Sequence, residues 1–189
     1  ISLNMTGTTS LTTNDLSADN ANSRPIIAPL WDDLDGATPT TSLASYELTG
    51  TAPNRVLTVE WRNWEWNWNS GATPVISFQV KLYETTNEIE FVYRQETGTV
   101  LSGSASIGIG SATGSGAGSY LSLSSVATPA VSSTTSTNTL NTKPATGQVY
   151  RFTPPSCSSP SGFAVSNLTT TSATISWNAA VPVPSTGYE

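Results

Sequence analysis

The chain has no histidine, one cysteine and one methionine among its 189 residues. Without histidine, neither a Ser/His/Asp nor a Cys/His nucleophilic arrangement can be assembled, and His-rich zinc sites are excluded with them. Cys157 has no partner in the chain, so no internal disulfide forms and cysteine spacing says nothing about redox compartment. Charge is scarce as well. Only 11% of residues are Asp, Glu, Lys or Arg, against about 25% in ordinary soluble domains, so Ser, Thr, Asn and Gly carry the solubility. Seven basic against thirteen acidic residues leave a net charge of -6. That argues against a nucleic-acid surface, which needs clustered Lys and Arg. No apolar run approaches the about 20 residues of a membrane helix, so no membrane insertion is expected. No charged segment followed by an apolar stretch stands at the start, so no signal peptide is read there.

Helical periodicity is nearly absent, and apolar residues alternate instead, the pattern of half-buried strands. Strands are predicted at 43–49 (LASYELT), over RVLTVEW with Leu57, Val59 and Trp61 on one face, and at 75–84 (VISFQVKLYE). A turn at Thr85-Thr86-Asn87 leads into a strand at 88–94, the clearest hairpin in the chain. Shorter strands are expected at 104–109, 119–123 and 148–153. The glycines at 108, 110, 114, 116 and 118 fit no phosphate-binding pattern and read as a flexible or tightly turned loop. Residues 127–143 are rich in Ser and Thr and read as an irregular excursion, and PPSCSSPSG at 154–162 reads as a linker. Two more strands follow, at 163–167 and 172–177. Short strands with frequent turn signals predict an all-β protein, an antiparallel β-sandwich of jelly-roll or immunoglobulin-like type.

What is abundant is tryptophan in one place. Residues 59–71 read VEWRNWEWNWNSG, with Trp61, Trp64, Trp66 and Trp68 inside eight residues. Trp61 shares parity with Leu57 and Val59 and is expected in the core. Trp64, Trp66 and Trp68 have the opposite parity, and a bulge near Arg62-Asn63 would bring them to the same side. Each ring buries about 150–250 Å² when packed, so the cluster is read as mainly structural. As an exposed platform, Trp64, Trp66 and Trp68 would instead be a ligand-binding or intersubunit face.

Two groups of acids carry chemical expectations. Asp32, Asp33 and Asp35 lie beside Gly36, and three carboxylates so close could supply oxygen ligands to Ca²⁺, although the full EF-hand loop is absent. The competing role is turn capping, with Asp oxygens accepting backbone N–H bonds. Glu88 and Glu90 share a strand face, with Glu60 and Glu65 nearby in sequence, and solvated surface acids are the expectation over a glycosidase pair. No other cofactor is implied, and the chain is not expected to be an enzyme. Asn4 and Asn167 head N-x-[ST] sequons and are the candidate glycosylation positions.

Ordered motifs run through the first four-fifths of the chain: RPIIAPLWDDLDG, then Y-x-L-T-G-x-x-P-N-R-V-x-T-x-E-W, VISFQVKLYETTNEIEFVYRQ, SASIGIG and PATGQVYRFTPP. Their order resembles a β-sandwich domain of large secreted bacterial surface proteins, and IIAPLWDDLD is similar to an element of the extracellular nidogen-type domain. The resemblance covers about residues 24–155 and implies a fold and a secreted or cell-surface location, not an activity. After it, PSGFAVSNLTTTSATISWNAA…STGYE resembles the opening of a fibronectin type III domain, with Trp177 as its core tryptophan and Tyr188 at the start of its third strand.

The expected organisation is a β-sandwich over 1–153 with N-terminal strands missing, a linker over 154–162, and an incomplete fibronectin type III-like segment over 163–189. The chain reads as a section of a longer protein. The expected function is an extracellular structural or adhesive module, with self-association by strand exchange, in the limit a head-to-tail filament, as its partner mode. The alternatives are a carbohydrate-binding module, with glycans as partners, and a glycan-active enzyme.

Overall fold

The computed structural model describes residues 1, 13–18, 24–36, 41–68, 73–112, 116–155 and 160–179. The sequon at Asn4, Gly114, Cys157 and the strand start at Tyr188 lie outside them. The chain divides into two compact units, Ile1–Phe152 and Thr153–Glu189.

The first unit is a sandwich of two antiparallel sheets. One sheet has five strands, β2 (Leu43–Thr49), β3 (Val56–Trp64), β4 (Ile76–Tyr83), β5 (Ile89–Gln95) and β9 (Val149–Phe152), neighbours in that order. The other has four, β1 (Ile26–Trp31), β6 (Ser106–Gly110), β7 (Tyr120–Leu123) and β8 (Val131–Ser132), also in that order. The hairpin of β4 and β5 pairs Ile76 with Gln95 through Leu82 with Ile89 without a break. Its turn places Asn87 at φ 54°, a left-handed conformation that Asn tolerates better than most residues. Alternation along β4 puts Ile76, Phe78 and Val80 into the core, where Phe91 and Tyr93 of β5 meet Ile27, Ile107 and Leu123 of the opposite sheet. Aromatic rings cross the sheet in a row. Trp61 stacks on Phe78 at 5.1 Å, Phe78 reaches Tyr93 at 6.4 Å, and Tyr93 meets Tyr150 edge-on at 5.4 Å. Such pairs contribute about 0.5–1.5 kcal/mol each beyond area burial.

The four-stranded sheet is buried on both faces along β1. Ile27 faces the core, while Ile26 and Ala28 pack with Leu16 and Tyr120 on the outer side. Two of the glycines read as loop residues belong to this packing. Gly108 and Gly110 lie within β6, paired to β7. A Cβ on Gly108 would stand 2.1 Å from the Leu121 carbonyl oxygen, and one on Gly110 would stand 2.6 Å from Arg24 Nη1. Strand glycines at this spacing leave room for a close neighbouring backbone and a buried guanidinium. The Ser/Thr-rich stretch 127–143 is irregular, as expected, apart from β8 and a bridge between Leu140 and Ala105. It is nonetheless packed: Thr137 N–H donates to Ser122 Oγ, and Ser106 Oγ donates to the Thr137 carbonyl.

The second unit contains β10 (Ser161–Ser166) and β11 (Thr174–Asn178), an antiparallel pair forming its own sheet. Phe163, Val165, Ile175 and Trp177 remain exposed on it.

Candidate functional site

The segment after β1 and the tryptophan-rich segment after β3 meet through their main chains. Glu65 N–H donates to the Asp35 carbonyl at 2.9 Å, and Trp68 N–H donates to the Asp33 carbonyl at 2.9 Å. Upstream, Asn63 stands at φ 60° and the β3–β4 register shifts between Trp61 and Trp64. This is the expected bulge. Trp61 then pairs with Phe78 and Trp64 with Ile76, both core-facing residues of β4, so the bulge brings Trp61 and Trp64 to the same side.

The four rings have four different environments. Trp61 is half-buried against the rim of the core rather than enclosed within it. Trp64 is half-buried over Gly36, where a Cβ would come within 3.0 Å of the indole, and its Nε1 donates to the Leu43 carbonyl at 3.3 Å. Trp66 is 0% exposed and lies inside the core cluster. Trp68 is 64% exposed. The expectation of Trp64, Trp66 and Trp68 as one ligand or subunit face is therefore corrected at Trp66, because a ring wholly removed from solvent cannot stack on a partner. Its burial has a polar condition, since the indole N–H needs an acceptor.

Asp32 supplies that acceptor. Its Oδ2 accepts Trp66 Nε1 at 2.8 Å and the Ser104 N–H at 2.7 Å, and its Oδ1 accepts Ser104 Oγ at 3.1 Å and the Asp33 N–H at 2.9 Å. Asn14 ties the same corner by donating to the carbonyls of Trp31 and Ser104. A carboxylate with both oxygens engaged by N–H and O–H donors serves as a cap and a cross-loop clasp. The calcium expectation at Asp32, Asp33 and Asp35 is corrected accordingly. Among the described residues no three acids, cysteines or histidines converge as metal ligands. Asp33 and Asp35 contribute main-chain carbonyls to the clasp, and Asp35 lies across the bridge from Glu65.

Glu65 was not singled out as a site residue by sequence, and the structure makes it conspicuous. It is 2% exposed, and its Oε1 is buried without a hydrogen-bond partner. Burial, and secondarily the negative charge of Asp35, push its carboxyl above the ordinary carboxylate range. A raised folded-state value favours the protonated fold. The stabilisation is complete below the unfolded value of about 4.3 and is lost as pH rises through the folded value. Glu65→Gln is therefore expected to flatten the fall in melting temperature above about pH 4. Thermal unfolding of both proteins across pH 4–8 checks this; parallel curves would show that Glu65 does not titrate with folding.

The paired strand acids differ in burial. Glu88 is half-buried, while Glu90 is buried rather than solvated, accepting Tyr83 Oη at 2.6 Å and Arg151 Nε at 2.8 Å. Burial alone would raise the Glu90 carboxyl, but the bonds from Tyr83 and Arg151 outweigh it and hold it below the usual range. Glu60 bonds Gln79, away from Glu65. Glu88 and Glu90 both face the Arg151 guanidinium, at 3.9 Å and 2.5 Å, so the two strand acids share one cation. The second sequon residue, Asn167, is exposed in the β10–β11 turn at φ 53°. An open depression lined by Ser124, Val126, Thr137, Thr139, Leu140 and Asn141 presents hydroxyls but no aromatic platform.

A second exposed feature of the first unit is apolar. In one register row across the five-stranded sheet, Val80 is wholly buried, Val59 is half-buried and Tyr46 is 80% exposed. In the next row, Leu82 and Leu57 are half-buried and Leu48 is 56% exposed. The inner face of the sheet thus continues onto β2 after its cover has run out.

Among the described residues no helix is long and apolar enough to cross a membrane. A family model described as NIDO related matches residues 1–154. Comparison with curated proteins finds no match, and comparison with solved structures finds none.

Proposed function

The chain belongs to the NIDO-related family over residues 1–154, and from that premise we propose that it is an extracellular structural or adhesive module of a bacterial surface protein, acting by contact between folded surfaces rather than by chemistry. The observation that carries this reading is the exposed inner-face strip of β2, with Tyr46 80% and Leu48 56% exposed. Contiguous apolar exposure marks an interaction surface. The candidate chemical groups are occupied within the fold: Asp32 by the indole and Ser104, Glu90 by Tyr83 and Arg151. The second unit supports the same reading. The apolar residues of β10 and β11 are the half of a fibronectin type III-like sandwich that an opposing sheet would cover. Docking of that face on a neighbouring copy, head to tail, is the filament form of the proposal.

Negative-stain electron microscopy of the intact protein, paired with tryptophan fluorescence against a glycan panel, tests it. Regular assemblies and unchanged emission are expected, since Trp66 is enclosed and Trp64 is packed over Gly36. Dispersed particles, together with a saturable glycan-induced emission change lost in Trp68→Ala, would replace it with a carbohydrate-binding reading.

A further inference from the structure

β2 is a long edge strand with none of the usual protection. Its seven residues, Leu43–Thr49, pair with β3 in unbroken register, without bulge or proline. They carry one charge, Glu47, and no lysine. Among the described residues no strand lies on its other side. The remaining sheet edges of the first unit are managed. β8 has two residues, β9 has four and carries Arg151, and β1 exchanges main-chain bonds with Ile1 at Ile27. Proteins blunt exposed edges with short strands, charges or cover, because an open row of N–H and C=O groups recruits another strand. An edge left open while the other edges of the same unit are closed points to a pairing partner.

We infer that the partner is a second copy of this chain, joined edge to edge through antiparallel β2–β2 pairing about a twofold axis. The sequence of β2 is self-complementary in that arrangement. Centred on Tyr46, the pairing sets Tyr46 opposite Tyr46, Ala44 opposite Leu48, Ser45 opposite Glu47 and Leu43 opposite Thr49. No like charges stand directly opposite, and the two rings form a cross-strand aromatic pair. All the apolar partners of the central pair lie on one face. Tyr46, Ala44 and Leu48 pair in register with Val59, Trp61 and Leu57, so they share the core-side face of the sheet. Each copy therefore adds its own uncovered strip to the other's, and a single ten-stranded sheet runs through the dimer. A twofold interface must use the same patch on both subunits, and this patch meets that condition. The inference rests on the reading of the domain as a contact module and names the surface.

The test uses the full chain, with light scattering during size exclusion over a range of concentrations. A concentration-dependent dimer is expected for the native protein. The double variant Tyr46→Lys/Leu48→Lys alters exposed side chains only. It should keep the melting temperature that the native protein shows at concentrations too low for the dimer, while raising the dimer dissociation constant by more than about tenfold. In a Cys157→Ser background, Tyr46→Cys should cross-link into dimers on mild oxidation, because residues opposite each other in antiparallel strands lie within disulfide reach. Glu47→Cys, facing Ser45 rather than itself, should cross-link far more slowly. Assemblies that persist in the lysine variant, or equal cross-linking of both cysteine variants, overturn the β2 pairing and leave the contact-module reading standing. A native chain that is monomeric throughout also overturns the pairing, and the adhesive reading is then decided by the microscopy and glycan experiment alone.

Discussion

Replacing Trp66 by alanine is expected to destabilise the first unit by about 3–5 kcal/mol, the cost of deleting a large aromatic from a packed core. The ring is 0% exposed and packs in the cluster containing Ile27, Leu30, Phe78 and Ile107. The substitution has a second consequence. Asp32 Oδ2 loses the indole donor and keeps only the Ser104 N–H, and a carboxylate acceptor deprived of a partner adds about 1–3 kcal/mol where water cannot replace it. Trp66→Phe helps to separate the two contributions, because it keeps one aromatic ring in the core while removing the N–H together with a smaller part of the volume than alanine does. Urea unfolding of both variants, with Trp61→Ala and Trp68→Ala beside them, gives a graded series. Trp61 is half-buried and stacked on Phe78, so about 2 kcal/mol is expected there rather than a full core loss. Trp68 is 64% exposed and should cost less than about 1 kcal/mol. Equal losses at Trp66 and Trp68 would contradict the assignment of one ring to the core and the other to the surface.

Substitution of Arg24 should have an effect of similar size and different origin. Arg24 is 1% exposed. Its Nη2 donates to the carbonyls of Leu16 at 2.6 Å and Ala18 at 3.1 Å, and its Nη1 to those of Ser111 and Ser119 at 3.4 and 3.3 Å. One guanidinium thus joins the 13–18 loop, the end of β6 and the approach to β7. Removing it leaves several carbonyls short of donors and opens a cavity above Gly110. Arg24→Ala is expected to cost about 3 kcal/mol, from carbonyls left without their charged donors and the cavity opened above Gly110. Arg24→Lys keeps the charge but loses the planar fork that reaches acceptors in different directions, and about 2 kcal/mol is expected. Gly110→Ala should act through the same contact, since its Cβ would meet Arg24 Nη1 at 2.6 Å. Chemical denaturation of the three variants checks the order. Near-native stability of Arg24→Ala would mean that water replaces the guanidinium at every carbonyl.

Much of the fold was legible in the sequence because strand alternation records which face is buried. The β4–β5 hairpin and β2 follow from period-two patterns bounded by turn residues. The bulge at Asn63 was legible because four tryptophans could not otherwise share a side. Gly110 was read into a loop and Gly108 both into a strand and into that loop, because composition alone cannot tell a glycine that turns from one that makes room for Leu121 or Arg24. The acids were misread for a related reason. Asp32, Asp33 and Asp35 are close in sequence, but ligand geometry depends on where side chains converge, and here the Asp32 carboxylate closes on Trp66 and Ser104. Glu65 gave no sequence signal, since its burial arises from a bridge to Asp35 some thirty residues away.

The sequence by itself determined the class of the protein: an all-β sandwich, without histidine chemistry, with four of its six tryptophans gathered at and just after one bulge. Local patterning fixes such features because each strand carries its own record of inside and outside. Only the tertiary structure decided which tryptophan is enclosed, which carboxylates are occupied, and which apolar strand face is left without cover. Those outcomes depend on how far one sheet extends over the other. Val80, Val59 and Tyr46 occupy one row of one face and pass from wholly buried to largely exposed. No alternation along a single strand contains that gradient, because it runs across the strands.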